Sequence, residues 1–297
     1  MTSPSAPVGV RPPRSLLFLP ASNPRAVAKA RTLPCDAVIL DLEDAVAPEE
    51  KAQARAAAAE AVAARGFGDR LLVVRINGLS TPWGAEDLEV IGRASPDAVL
   101  APKVEGSPDI ALYDERLSGG TARLWAMIET AGSHLSLPAI AGAARTSRLE
   151  AMVIGPNDYA KEMRARMTPE RAPFFALFSL AVAAARSEGL EVFDGPFGAI
   201  EDLAGLEREC AQARDFGFDG KTLIHPSHIE TCNRAFSPSA QEIAEARAIV
   251  AAFADPAAAD RGAVRVMGRM AERLHLAAAE RLLERALRLA DLSPPGP

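Results

Sequence analysis

The segment Ala37-Val38-Ile39-Leu40-Asp41-Leu42-Glu43-Asp44 is apolar for four positions and then turns acidic. It shows no polar alternation until its end, which is how a strand covered on both faces reads in a parallel sheet. The same pattern recurs at Leu71-Leu72-Val73-Val74-Arg75-Ile76-Asn77. Working outward from these two, six more short apolar runs stand at Ser15–Pro20, Ala98–Val104, Arg123–Thr130, Leu149–Asp158, Leu190–Phe197 and Gly220–Pro226. Between them lie Ala-rich segments of helical periodicity, among them Glu49–Arg65 and Pro173–Glu188. Eight strand–helix alternations predict an α/β fold, a (β/α)8 TIM barrel. The alternative, a doubly wound open sheet, would be supported by G-x-G-x-x-G after the first strand, and no such motif is present.

The chain changes character after the eighth run. Ser239 followed by Glu242 is a capping-box pattern, opening a helix to about Phe253 whose apolar stripe is Ile243, Ala246, Val250 and Phe253. A Pro/Ala linker is expected at Asp255–Asp260, then a second amphipathic helix over Glu272–Leu292, with Leu276, Ala279, Leu283 and Ala290 on its apolar face. The expected organisation is a flexible N-terminus at 1–13, a barrel domain at 14–230, and a C-terminal helical extension at 231–297 serving as lid or oligomerisation arm.

The balance of charge bounds the partners. A formal net charge of −6 argues against general binding to nucleic acid or an anionic membrane surface. No run of 18 apolar residues exists, and the N-terminal segment lacks the apolar stretch of a secretory leader, so neither a membrane span nor export is expected. Cys35, Cys210 and Cys232 are far apart without C-x-x-C spacing, which fits reduced packing residues in a cytoplasmic protein.

In a barrel, chemistry sits at the C-terminal ends of the strands. There the predicted strands carry Asp41, Glu43 and Asp44; Arg75 and Asn77; Lys103 and Glu105; Glu129; Asn157 and Asp158; Asp194; and His225. An acid-rich collection without cysteine favours a hard cation such as magnesium. The four histidines lack zinc spacing, and neither a G-x-S-x-G nucleophile motif nor a phosphate-binding G-x-x-x-x-G-K-[ST] loop is present.

The segments in order — Arg14-Ser15 with Pro20-Ala21, Leu40 through Val46, Arg75-Ile76-Asn77, Pro102 through Glu105, Ile128 through Ala131, Gly155 through Asp158, Gly217 through Lys221 and Ile224-His225-Pro226 — resemble the citrate lyase β-subunit-like group of the HpcH/HpaI aldolase superfamily. The resemblance covers roughly Arg14 to Ala290 and implies a (β/α)8 barrel with a C-terminal helical extension, assembled as a homotrimer or hexamer. It implies a magnesium-dependent carbon–carbon lyase acting on a citryl-, malyl- or citramalyl-type thioester of coenzyme A or an acyl carrier. Thioester hydrolysis or condensation on the same site, a pyruvate aldolase that needs no coenzyme A, and a non-catalytic barrel subunit are the alternatives.

Residue by residue, the resemblance makes Glu129 and Asp158 the Mg2+ ligands, against the plainer roles of a strand-end carboxylate and a helix cap. It makes Arg75 the group that stabilises the enolate oxygen, held from behind by Glu43 and Asp44. Gly155 and Asn157 become the cradle of a substrate carboxylate, with Pro156 unable to donate. Arg14, Lys51 and Arg55 are candidates for coenzyme A phosphates, although a solvated helix face explains the latter two as well. Asp194 and His225 are equally explained as hydrogen-bonding strand ends. One departure stands out. The family's segment before the last helix reads approximately Asp/Asn-Gly-x-Met-x-Asp-x-Pro, its Asp acting as acid or base in a neighbouring subunit. Here Met267-Gly268-Arg269-Met270-Ala271-Glu272-Arg273-Leu274 places Glu272 at that position and has no proline.

Overall fold

The computed structural model describes residues 12–255 and 261–291. The first 11 residues, where a flexible terminus was expected, most of the 255–260 linker and the last residue of the predicted final helix lie outside the described residues. The chain forms two compact units, one spanning Pro13–Phe236 and the other built on the chain from Ser237 onward.

In the first unit eight parallel strands close in sequence order, β1 (Ser15–Pro20), β2 (Ala37–Asp41), β3 (Leu71–Arg75), β4 (Ala98–Ala101), β5 (Arg123–Ile128), β6 (Leu149–Ile154), β7 (Glu191–Asp194) and β8 (Gly220–Leu223), with β1 pairing to β8. All eight predicted strands are present, and several end earlier than expected, because the polar tips leave the ladder to form the loops. Helices α1 (Pro24–Ala30), α2 (Lys51–Ala64), α3 (Gly84–Ala94), α4 (Ser107–Arg116), α5 (Ala131–Leu135), α6 (Leu137–Gly142), α7 (Pro156–Met163), α8 (Phe175–Glu188), α9 (Leu203–Phe216) and α10 (Ile229–Ala235) follow the strands. The unit runs through Phe236, so α10, which packs on α9 and β1, belongs to the barrel and not to the extension expected from residue 231.

Side chains alternate along each strand, and the alternation sorts them into two cores. Leu16, Ile39, Val73, Leu100, Trp125, Val153 and Phe193 point inward and fill the barrel, Trp125 and Phe193 meeting at 5.3 Å between ring centroids. Their neighbours Leu17, Leu40, Val74, Val99, Ala126 and Ile154 point outward against the helices. Outward positions are therefore apolar by default, and two exceptions stand out. Asp194 and Lys221 share that outer layer, fully buried. Lys221 Nζ donates to Asp194 Oδ2 at 2.6 Å, to the Gly195 carbonyl at 2.5 Å and to Glu209 Oε1 at 2.6 Å. Arg171, in a left-handed conformation with φ of 54°, donates from Nη1 to both Asp194 oxygens. Burial alone would raise the Asp194 pKa, but Lys221 and Arg171 outweigh it and hold the carboxyl below its ordinary range. The cluster thus pins the chain before α8, and α9, to β7 and β8.

The second unit contains α11 (Ala240–Ala254), the hairpin β9 (Ala263–Val266) and β10 (Arg269–Glu272), and α12 (Arg273–Asp291). The capping box is formed: Ser239 Oγ accepts from the Glu242 N–H, and Glu242 Oε2 accepts from the Ser239 N–H. Phe253, Val264 and Ala271 form a small core, with Ile249 and Leu276 packed against it. The hairpin was not anticipated. Met267 and Gly268 both have positive φ, 47° and 82°, and form a two-residue loop of the handedness that suits the twist of paired strands. Among the described residues no helix is long and apolar enough to cross a membrane, and the three cysteines are free and buried.

Asp194→Asn should destabilise the fold by about 3–5 kcal/mol, because the buried Lys221 and Arg171 would be left to share Glu209 as their one carboxylate. Urea denaturation measures this, and a loss below about 1 kcal/mol would mean that the two cations are solvated instead of paired.

Candidate active site

One step beyond the inner core, the inward positions become Phe18, Asp41, Arg75, Glu129, Gly155 and Thr222, each two residues after an apolar inward neighbour or its counterpart on the adjoining strand. All six line one cavity of about 440 Å³, together with Pro20, Asp44, Asn157, Asp158, Pro196 and Ile224. The alternation that fills the barrel therefore also builds the site, at the C-terminal ends of the strands.

Asp41 and Arg75 are register partners across β2 and β3. Arg75 donates from Nε to Asp41 Oδ1 and from Nη2 to Asp41 Oδ2, both at 2.7 Å. Its Nη1 lies 2.9 Å from Glu43 Oε2 and donates to Asp44 Oδ2 at 3.2 Å. The Phe18 ring sits 5.0 Å from the guanidinium carbon. Burial opposes the charge, but the Asp41 hydrogen bonds and the surrounding carboxylates overcome it and keep the guanidinium protonated. Glu43 and Asp44 were expected as its partners and are found there. Asp41, which the sequence reading left without a role, makes the strongest pair. Its signal was parity: it shares a face with Ile39 and lies opposite Arg75.

Glu43 is buried, and its Oε1 takes a hydrogen bond from Lys103 Nζ at 2.8 Å, while Oε2 has no aligned donor despite its closeness to Arg75. Burial raises its pKa against the pull of Arg75 and Lys103. Lys103 has φ of 51°, and in that conformation its backbone N–H donates to Glu129 Oε1 at 2.8 Å. Glu129 is 1% exposed. Burial, reinforced by the negative charge of Glu43, pushes its pKa up to about 7 although Lys103 pulls the other way. Gly155 makes room for it: a Cβ there would lie 2.5 Å from both Glu129 Cβ and Oε2. Asp158 stands half-buried in the first turn of α7, beside buried Pro156 and exposed Asn157. The cavity thus offers an oxygen-only pair, Glu129 and Asp158, one member of which is a carboxylate destabilised by burial. No group of three or more His, Cys, Asp or Glu side chains at metal-holding spacing occurs among the described residues. A small hard cation that keeps several waters fits such a pair.

The remaining predicted residues are placed elsewhere. Lys51 is buried, donating to the Leu42 and Glu43 carbonyls and to Asn77. Arg55 is buried against Asp87 and Glu86. Arg14 precedes β1 and grips Asp36, which precedes β2, so it lies at the N-terminal end of the barrel, opposite the cavity. The structure does not bring these three together: Lys51 and Arg55 are buried in contacts within the barrel, and Arg14 lies at its opposite end. Asn77 is buried with Lys51 and Asp87. Glu105 is exposed outside the cavity lining, and Asp194 faces the helices. His225 caps the turn at 226–228 through Ser227. Glu272 lies exposed on β10 in the second unit, its N–H donating to His275 Nδ1.

Residues 14–226 match the HpcH/HpaI aldolase/citrate lyase family, and residues 165–288 match a family described as a C–C bond lyase of the TIM-barrel fold. The chain is 43% identical over 279 residues, 94% of its length and 96% of the relative's, to a (3S)-malyl-CoA thioesterase of Cereibacter sphaeroides. It is 32% identical over 282 residues to the citrate lyase subunit beta of Escherichia coli, covering 92% of this chain and 93% of that one. The solved structure of CitE from Mycobacterium tuberculosis in complex with magnesium, acetoacetate and coenzyme A superposes with a TM-score of 0.74 at 31% identity, over 92% of this chain and 98% of the other. With a family match over most of its length and relatives at 43% and 32% identity, the chain belongs to the HpcH/HpaI aldolase/citrate lyase family.

Proposed function

We propose that this protein is a Mg2+-dependent enzyme of hydroxy-carboxy-acyl-CoA thioesters of the malyl type, and that its site breaks the carbon–carbon bond one carbon from the thioester. The observation that carries the reading is the inward-facing Arg75, braced on Asp41, Glu43 and Asp44, in the same cavity as the Glu129–Asp158 pair. Glu129 and Asp158 would hold the magnesium ion, a reading supported by a relative whose structure contains magnesium. A bound ion would supply Lewis-acid polarisation of the substrate's oxygens.

The protein's own groups perform the rest. A base takes the hydroxyl proton, the C–O bond becomes a carbonyl, and the electrons of the adjacent carbon–carbon bond pass to the thioester as an enolate. A 2-oxo acid leaves, and the enolate carbon takes a proton. A guanidinium has five N–H groups. Arg75 commits three of them to Asp41 and Asp44, so it retains donors for the enolate oxygen. Because its carboxylate partners hold it in place, little reorganisation is needed as charge develops. Asn157 and the first turn of α7, where Pro156 brings no N–H, would meet the substrate carboxylate. Glu272 is our candidate base, delivered from the second unit of a neighbouring copy. It carries a carboxylate one methylene longer than the family's Asp.

The 43% relative named a thioesterase favours a second reading, in which the same cavity directs water onto the thioester carbonyl. The products decide. With malyl-CoA and magnesium, cleavage releases glyoxylate and acetyl-CoA, whereas hydrolysis releases malate and free coenzyme A. Mass spectrometry separates the two, and formation of neither from malyl-, citramalyl- or citryl-CoA would reject both.

The raised Glu129 pKa gives the metal a pH signature. The ordinary value near 4.5 applies to the unfolded chain and about 7 to the fold. The fold therefore favours the protonated form, and its stability contribution is lost as pH rises through 7. A cation that neutralises Glu129 reverses that loss, so the gain in Tm on adding Mg2+ should be larger at pH 8 than at pH 6. It should vanish in Glu129→Gln and shrink in Asp158→Asn. A gain independent of pH and of both substitutions would place the ion elsewhere.

For Glu272, a lost general base predicts a fall in turnover of roughly 10²–10⁴-fold in Glu272→Gln with Mg2+ binding retained. Mixed oligomers of Glu272→Gln and Glu129→Gln subunits should regain activity that neither parent has. No rescue in a verified mixed oligomer would confine Glu272 to its own chain or to no catalytic role.

A further inference from the structure

Lys51 opens α2 with its side chain buried, and its three ammonium protons each have an acceptor. Nζ donates to the carbonyls of Leu42 at 2.8 Å and Glu43 at 2.7 Å, and to Asn77 Oδ1 at 2.8 Å. The Trp83 ring lies 5.2 Å away. Leu42 and Glu43 belong to the turn whose side chains Asp41, Glu43 and Asp44 brace Arg75. Asn77 stands two residues beyond Arg75 on the segment that continues β3. One ammonium therefore ties together the two strand ends that Arg75 and its carboxylates join on the inner side.

The tie is itself anchored. The Asn77 backbone N–H and Nδ2 both donate to Asp87 Oδ2, at 2.9 and 2.5 Å, and Nδ2 also donates to the Leu42 carbonyl at 2.9 Å. Asp87 Oδ1 accepts from Arg55 Nε at 2.6 Å. Lys51 and Arg55 lie one turn apart on α2 and so face the same side of that helix. Stability alone is a poor reason for this arrangement, since burying an ammonium loses its hydration and an apolar side chain would fill the space without that loss. What the charged network adds is direction: the turn after β2 is fixed at its carbonyls, and its carboxylates are thereby aimed.

We infer that Lys51 is a positioning residue for Arg75, acting through the 41–44 turn and Asn77 to hold the guanidinium at the angle the reaction uses. The inference rests on the proposed role of Arg75. It also accounts for Lys51 without a coenzyme A phosphate, for which the ammonium has no proton to spare.

The test compares wild type with Lys51→Met, which keeps an unbranched chain as far as the ε position and loses the ammonium donors, in the full-length protein. Arginine-selective ¹⁵N labelling reads solvent exchange at the Arg75 Nε–H, which Asp41 protects. In Lys51→Met that exchange should quicken at least about tenfold. In the same variant, kcat for malyl-CoA should fall roughly 10–100-fold, the range for losing an outer support of an active-site group. KM and the Mg2+ midpoint should stay within about twofold, since the groups that bind are untouched. Unchanged Arg75 exchange overturns the inference, and so does a rise in KM with kcat intact, which would mark a phosphate contact. If Lys51→Met does not fold, Asn77→Ser removes one of the ammonium's acceptors and carries the same readouts. If the wild type turns over no thioester, the proposed function fails on its own, and the exchange measurement alone decides whether Lys51 positions Arg75.

Discussion

The bidentate contact between Asp41 and Arg75 is the constraint on which the site depends. A guanidinium directed into a barrel has lost most of its water, and only hydrogen-bonded anions can make up that loss. Parallel register puts Asp41 directly beside it, so the support is built into the sheet and not borrowed from a loop. The consequences spread outward. Asp41 must end β2 on the inward face, which sends Glu43 inward as well, and Glu43 then meets both Arg75 and Lys103. Lys103 in turn gives its amide to Glu129. A chain of alternating charges thus runs from β2 through β3 and β4 to β5, and each member is held by the one before it.

Glu129 is where that chain ends with charge to spare. Enclosed by apolar walls and facing the field of Glu43, it is an anion whose own fold disfavours it. Strain of this kind is useful in a binding site, because a cation that arrives relieves it, and part of the binding energy comes from that relief. The Gly155 backbone lets the carboxylate sit low, where a larger residue would displace it. The site is therefore held partly by what is present and partly by the missing Cβ on the neighbouring strand.

The fold was largely legible because buried parallel strands read as uninterrupted apolar runs, and eight such runs leave few architectures open. The polar strand tips were legible for the same reason, whereas the association of Arg75 with Glu43 and Asp44 came from the family resemblance. What the linear sequence concealed was direction. Lys51 and Arg55 look like solvated cations on an Ala-rich helix, and only the packing of α2 against α3 shows them turned inward toward Asn77 and Asp87. Asp194 looks like strand-tip chemistry, but its parity faces the helices, where it meets Lys221. Arg14 stands beside a strand yet precedes it, which puts it at the other end of the barrel. The β9–β10 hairpin escaped notice because its strands are four residues each and its turn begins with methionine, a side chain rarely found at positive φ.

That turn has a consequence for how the chain can vary. Along β10, Ala271 is buried in the small core of the second unit while Glu272 faces outward. Strand side chains alternate, so one residue added to or removed from the Met267–Gly268 loop would exchange the two faces, burying the carboxylate and exposing the alanine. Substitutions within the loop can be absorbed if the second position stays glycine. A change in its length cannot, which makes the loop's length a stricter requirement on related sequences than the identity of most residues around it.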